Sequence, residues 1–224
     1  NIFQKEVIYL KKQDKVNAVI SVLENQYPDA KCSLEYNKPY ELLFATVLSA
    51  QCTDKRVNIV TKELYSKFPT LESIANATPE EIGECIKSCG LYKNNAKNIV
   101  SAAKMLIENF GGELPSSIEE LTTLPGVGRK TANLIMGDIF HQPAVVTDTH
   151  CIRICNRLGL TKNTEPYPVE KDLRKILPSE KSSDFCHRLV LFGREFCSAR
   201  NPKCNECPIK KEYDDRIKCI IKNK

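Results

Sequence analysis

Along most of the chain apolar residues recur at three- and four-residue intervals, the spacing of one helix face. Val16, Val19, Ile20 and Leu23 mark one amphipathic helix, or two, in the polar stretch Asn1 to Gln26, ended by Pro28. Tyr40 to Ala50, YELLFATVLSA, is almost continuously apolar, as expected for the buried centre of a helical domain, and runs into Gln51-Cys52-Thr53-Asp54. Another helix is predicted over Arg56 to Phe68. Thr78-Pro79-Glu80-Glu81 reads as a helix start, with Thr78 as cap and Pro79 in the first helical position. Gly90-Leu91-Tyr92 breaks the pattern before Lys93 to Phe110 resumes it. Ser116-Ser117-Ile118-Glu119 reads as a capping box opening a short helix that carries Leu121 and Leu124. Only Ala144–Thr147 looks strand-like, and it is short and preceded by proline. The predicted class is all-α, with no internal repeat or low-complexity segment.

Within this pattern LPGVGRKTAN, Leu124 to Asn133, has two glycines flanking Val127. Gly126 and Gly128 can take positive φ, which permits a turn of a few residues. A helix then starts near Arg129, with Ala132, Leu134, Ile135 and Ile139 on one face. This is a helix-hairpin-helix whose bare backbone leaves N–H donors at a helix N-terminus, a site that suits a phosphate. Gly126, Val127, Gly128, Arg129 and Thr131 are therefore candidate contacts to a phosphate backbone. Lys130 lies in the first turn of the second helix. An ammonium there is disfavoured by the positive helix end and by Arg129, which makes a free amine a candidate nucleophile for a sugar carbon. An ordinary phosphate-contacting lysine fits the position as well. Asp148 follows Ala144-Val145-Val146 and precedes Thr149-His150, where an aspartate is more often a helix cap than a catalyst. The two roles are compatible, since a cap fixes the direction of the carboxylate.

The 224 residues suffice for one large or two modest domains, and 42% hydrophobic content is globular. No apolar run approaches the roughly 18 residues that span a membrane. No basic-then-apolar leader argues for export, although the chain starts at Asn1 and leaves room for an upstream segment. A net charge of +5 is mildly basic and fits a polyanionic partner. Eleven cysteines without signs of secretion point to metal binding rather than to a disulfide scaffold. Cys32, Cys52, Cys85, Cys89, Cys151, Cys155 and Cys186 are scattered through helical patterns and read as small buried hydrophobes. Cys197, Cys204 and Cys207 are spaced tightly enough to converge on one metal centre, among Arg194, Arg200, Lys203, Lys210 and Lys211.

LPGVGRKTAN followed by VTDTH, with LSAQCTD upstream and the cysteine cluster downstream, resembles the endonuclease III family of DNA glycosylases. The resemblance spans Gln51 to Cys207, with readable flanks. It implies two all-α lobes flanking a DNA-binding cleft: residues 32–142 as a six-helix barrel with the hairpin, and residues 1–31 with 143–224 as an iron–sulfur cluster lobe. It makes Lys130 a Schiff-base nucleophile and Asp148 its carboxylate partner. Removal of oxidised pyrimidines from duplex DNA, with abasic-site cleavage by β-elimination, would follow. Gln51 and Leu91 match residues the family inserts into the duplex, although a helix-end glutamine and a core leucine are the plainer readings. Thr53, Asp54 and His150 match positions lining the pocket or backing it. The three cysteines match the first three ligands of a [4Fe–4S] cluster. Tyr213 stands at the family's fourth ligand position, so Cys219, after eleven intervening residues, is the expected fourth ligand. A monomer acting inside the cell on DNA is expected. A glycosylase of different base preference, a non-catalytic helix-hairpin-helix module and a zinc protein are the competing readings.

Overall fold

The computed structural model describes residues 11–213 and divides them into two compact units. The first ten residues of the predicted N-terminal helix, and Cys219, lie outside the described residues. Among those described there are helices and turns but no strand, and no helix is long and apolar enough to cross a membrane.

One unit comprises residues 32–142. Its centre is α2 (Pro39–Leu48), on which Leu42, Leu43 and Leu48 are fully buried and Phe44 nearly so. A short 3₁₀ turn, Ser49–Gln51, continues it. Then come α3 (Asp54–Lys67), α4 (Leu71–Asn76), α5 (Pro79–Cys85), the long α6 (Tyr92–Phe110), the one-turn α7 (Ile118–Leu121) and α8 (Arg129–Asp138). Hydroxyl caps set the starts, accepting from first-turn N–H groups that have no partner inside the helix. Thr53 accepts from Arg56 N, Thr70 from Ser73 N, Thr78 from Glu81 N and Ser117 from Glu120 N. The last pair corrects the predicted box by one residue: Ser117 is the cap and Glu120, not Glu119, accepts its hydroxyl at 2.8 Å. α4 and α5 pack on α6, and α8 packs on α2, so the hairpin rests on the apolar centre.

The other unit joins α1 (Lys12–Gln26) to the residues from Pro143 onward. It contains α9 (Thr149–Arg157), α10 (Pro166–Arg174), α11 (Ser182–Glu195) and α12 (Pro208–Tyr213). α1 packs on α11, with Val16, Val19 and Leu23 on the former and Phe185, Leu189 and Phe192 on the latter all buried. Arg188 Nε donates to the Tyr27 carbonyl at 3.1 Å, and the Tyr27 hydroxyl donates to Glu195 at 2.7 Å. Ala144–Thr147, expected as a strand, is a buried extended segment instead. With no neighbouring strand among the described residues, the Ala144 N–H donates to the Ser182 hydroxyl at 3.1 Å.

Of the scattered cysteines, Cys85, Cys89, Cys151, Cys155 and Cys186 are buried, while Cys32 and Cys52 are half-buried. Hydrogen bonding among the thiols and burial push Cys151 and Cys186 well above the ordinary range, as expected of inert core thiols.

Candidate functional site

The hairpin turn between α7 and α8 uses its two glycines differently. Gly126 has φ +79°, and a Cβ there would lie 2.9 Å from Asn98 Nδ2 and 3.0 Å from Asn98 Cβ. Both conformation and space demand glycine. Gly128, expected to exploit positive φ as well, has φ −93° and ψ 173° and is the N-cap of α8. A Cβ on it would meet nothing within 4 Å, so the fold itself tolerates a side chain. What the glycine does leave is a helix N-terminus without a side-chain cap, facing open space. Gly128 itself offers the first-turn N–H groups no side-chain acceptor, the arrangement that suits a phosphate oxygen.

Around this turn the predicted contacts separate. Gly126, Gly128, Arg129 and Lys130 are exposed. Val127 is buried in the apolar core, and its N–H donates to the Leu124 carbonyl at 3.0 Å, which leaves neither its side chain nor that donor for a ligand. Thr131 is buried as well. Lys130 makes no hydrogen bond or ion pair among the described residues, so its amine is available to a ligand.

Gln51 and Leu91, forty residues apart in sequence, meet at one edge of the same unit. A Cβ on Gly90 would lie 3.0 Å from Gln51 Cβ and 3.1 Å from the Gln51 carbonyl oxygen, so the Gly90 backbone is pressed against Gln51. Leu91, next to it, is 56% exposed and has φ 57° and ψ 25°. A leucine in the left-handed region is strained by about 1–2 kcal/mol. The surroundings hold it there: buried Asn95 donates its amide Nδ2 to the Gly90 carbonyl at 3.1 Å and its N–H to the Leu91 carbonyl at 3.0 Å. A strained and exposed leucine is therefore not the core residue that the plainer reading made of it. Gln51 is also exposed. Nearby, Thr53 caps α3, and Asp54 accepts from the Ser33 hydroxyl at 2.6 Å.

In the other unit Asp148 is the N-cap of α9, its Oδ1 accepting from Cys151 N at 2.7 Å. The cap leaves Oδ2 uninvolved and fixes the direction of the carboxylate. His150 follows in the first turn, where Arg153 Nη2 lies 3.1 Å from its Nδ1. A Cβ on Gly193 of α11 would run into the His150 ring, so that glycine permits the close approach of α11 to α9. Arg153 and Arg157, one helical turn apart on α9, were not singled out in the sequence. Arg153 donates Nε and Nη2 to the Cys197 carbonyl at 3.2 and 3.0 Å. Arg157 donates Nη1 to Cys197 Sγ at 3.2 Å and to the Ser198 carbonyl at 2.7 Å, and Nη2 to the Ala199 carbonyl at 2.9 Å. Thus the helix capped by Asp148 is fastened to the start of the cysteine segment. The i, i+4 spacing of the two arginines was the available signal.

Cys197 is buried, and Cys204 and Cys207 are half-buried. Burial raises the Cys207 thiol, the Lys210 and Ile209 N–H groups oppose it, and Cys197 and Cys204 are near enough to raise it further. No three Cys, His, Asp or Glu side chains among the described residues are arranged to hold a single metal ion. The donor set nonetheless fits a larger sulfur-bridged group: three thiols within electrostatic reach, two of them receiving N–H donors of the kind that stabilise thiolate ligands. The basic residues singled out around them, Arg194, Arg200, Lys203, Lys210 and Lys211, are all exposed.

Residues 44–179 match the HhH-GPD superfamily of base excision DNA repair proteins. The chain is 45% identical over 199 residues to endonuclease III of Synechocystis sp., covering 88% of this chain and 91% of that one. To endonuclease III of Bacillus subtilis it is 44% identical over 196 residues, covering 87% and 90%. A solved structure of a trapped endonuclease III–DNA covalent intermediate superposes with a TM-score of 0.85 at 43% identity, covering 90% of this chain and 95% of that one. A thermostable thymine-DNA glycosylase shares the fold at 24% identity, with a TM-score of 0.79 and coverage of 88% and 94%.

Proposed function

The chain belongs to the HhH-GPD superfamily of base excision DNA repair proteins and, within it, to the endonuclease III family of DNA glycosylases with abasic-site lyase activity; from that membership we propose that it removes oxidised pyrimidines from duplex DNA through a Schiff base on Lys130. The observation that carries the proposal is an exposed, unpartnered lysine in the first turn of a helix whose glycine cap leaves the N-terminus open. The covalent DNA intermediate trapped with a 43%-identical relative supports it, since such an adduct requires a protein nucleophile.

The residues divide the work as follows. The open N-terminus of α8, with Gly126, Gly128 and Arg129, holds a backbone phosphate and brings the sugar to Lys130. Neutral Lys130 Nζ attacks C1′, the bond to the damaged base breaks, and the base leaves with a proton. The Lys130 nitrogen gives up one of its two protons, the C1′–O4′ bond then opens with O4′ taking a proton, and a protonated iminium that keeps its N–H joins Lys130 to C1′. That group acidifies the 2′ hydrogen; proton loss there breaks the C3′–O bond and nicks the strand. Asp148, aimed by its capping bond, stabilises positive charge developing at the sugar and shuttles protons. The target base must leave the stack, at a cost of a few kcal/mol, and Leu91 with Gln51 fills the vacated space. His150 supports the Asp148 turn. A monomer suffices for this chemistry.

We assign Cys197, Cys204, Cys207 and, beyond the described residues, Cys219 as the ligands of a [4Fe–4S] cluster. Such a group, when bound, ties the segment after α11 into one body and can exchange an electron. Cys219→Ser should lose iron and visible absorption if Cys219 is a ligand, whereas spectra matching the parent would remove it from the set.

The function is tested by borohydride trapping on duplexes carrying thymine glycol or an abasic site. The parent should form a covalent protein–DNA adduct, and Lys130→Ala should form none while unfolding at the same temperature, because the lysine is exposed and unpartnered. A normal adduct yield in Lys130→Ala would overturn the assignment.

A further inference from the structure

Cys52 directly follows Gln51, and Cys89 directly precedes Gly90 and Leu91. The Cys89 thiol lies within hydrogen-bonding reach of Cys52, next to the close approach of Gly90 to Gln51. Cys89 is 3% exposed, whereas Cys52 is half-buried and reachable from solvent. Burial and then the bond from Cys52 push the Cys89 thiol up to about 12, and Arg56 on α3 pulls the other way. Neither thiol has a part in the chemistry proposed above. We infer that Cys52 and Cys89 are an oxidisable dithiol, closed into a disulfide by low-molecular-weight disulfides, that cross-links the segment bearing Gln51 to the segment bearing Leu91.

The exchange is balanced without any further reactant. The accessible Cys52, as thiolate, attacks one sulfur of the small disulfide and expels a first small thiolate. Cys89 gives up its proton to solvent, attacks Cys52 Sγ and expels a second. One disulfide is consumed, one is formed, and two small thiols leave. The preference of Cys52 for the first attack follows from access, and that of Cys89 for the second from its place against the Cys52 sulfur.

Closure should be felt at the protein surface. A sulfur–sulfur bond of about 2.04 Å is much shorter than a hydrogen-bonded thiol contact. Gly90 approaches Gln51 closely enough that an added Cβ would lie 3.0 Å from Gln51 Cβ, so the two segments have little room to slide past each other. Drawing the sulfurs together should therefore shift the left-handed turn at Leu91. This consequence rests on the reading of Gln51 and Leu91 as residues that enter the duplex; the disulfide itself does not.

The test uses the full chain as purified, with its cluster, exposed to excess oxidised glutathione, then alkylated and digested without reductant. Mass spectrometry should find a peptide joining Cys52 to Cys89. In Cys89→Ala glutathione should remain on Cys52, and in Cys52→Ala Cys89 should stay unmodified. In the parent, glutathione retained on Cys52, or both thiols still open to alkylation, would overturn the proposal. The cross-linked protein should remove a damaged base from duplex DNA roughly tenfold more slowly or worse, as for misplacements on the ångström scale, and recover with dithiothreitol. A mapped cross-link with an unchanged rate would leave the disulfide standing and overturn the duplex-entry reading; absence of the cross-link would remove the disulfide and leave that reading untouched.

Discussion

Gly126, at φ +79° with Asn98 close behind it, is held to glycine by the turn. Alanine there should cost about 1–3 kcal/mol, read as a lower denaturation midpoint. Gly128 has ordinary extended backbone and open space. Serine at Gly128 can cap α8 and should leave stability equal or higher by a few tenths of a kcal/mol. The same hydroxyl would occupy the donors proposed for phosphate, so Gly128→Ser should bind damaged and undamaged duplexes more weakly alike, as gel shift would show. Loss of lesion discrimination alone would contradict that. Asp148→Asn makes a second separation. Asparagine caps as well as aspartate, so stability should hold within about 0.5 kcal/mol. Base removal in single turnover should fall by about 10²–10³-fold, the scale for a group that meets developing charge. The capping role of Asp148 was readable from its place before Thr149-His150. The unequal roles of Gly126 and Gly128 were not, because a glycine letter records freedom and not whether the chain uses it.

Elements were legible where the periodicity rested on unambiguous residues. α3, α5, α6 and α8 start within two residues of expectation, because Thr53, Thr78, Leu91 and Gly128 mark changes in backbone conformation. After Asp148 the helix it caps was expected, but the bounds of α10 and α11 were not. α9 places Cys151 and Cys155 beside Ile154 on its buried side, in keeping with their reading as small buried hydrophobes. α10 opens with Pro166 and Pro168 in its first turn, where proline is tolerated, and buries Val169 and Leu173. Ala144–Thr147 has strand composition but pairs with no strand among the described residues, and a single extended segment makes no sheet. The turn before α6 yields a test at this scale. Leu91→Gly removes left-handed strain and should raise stability by about 1 kcal/mol by chemical denaturation. Excision from a paired duplex should fall in the same variant. A gain in stability without loss of excision would make Leu91 a mere turn residue.

At the scale of the whole chain, α1 belongs to the unit that carries Asp148 and the cysteines, although more than a hundred residues separate them. Leu23, fully buried on α1, should cost about 2–5 kcal/mol when cut to alanine. The loss should appear first as faster amide exchange in α9 and α11, with α6 protected; equal loss in both units would mean that they unfold as one. Composition held no hint of this arrangement, since periodicity reports which residues are buried and not what buries them. The arrangement also bears on how the protein is made. α1 leaves the ribosome well before the helices that cover its apolar face, which come only after residue 143. At a synthesis rate of about 5–20 residues per second that is a wait of roughly 6–23 seconds, during which residues 32–142 emerge. Through that interval Val16, Val19 and Leu23 are an uncovered apolar stripe on a nascent chain, open to a chaperone or to a neighbouring polypeptide on the same messenger.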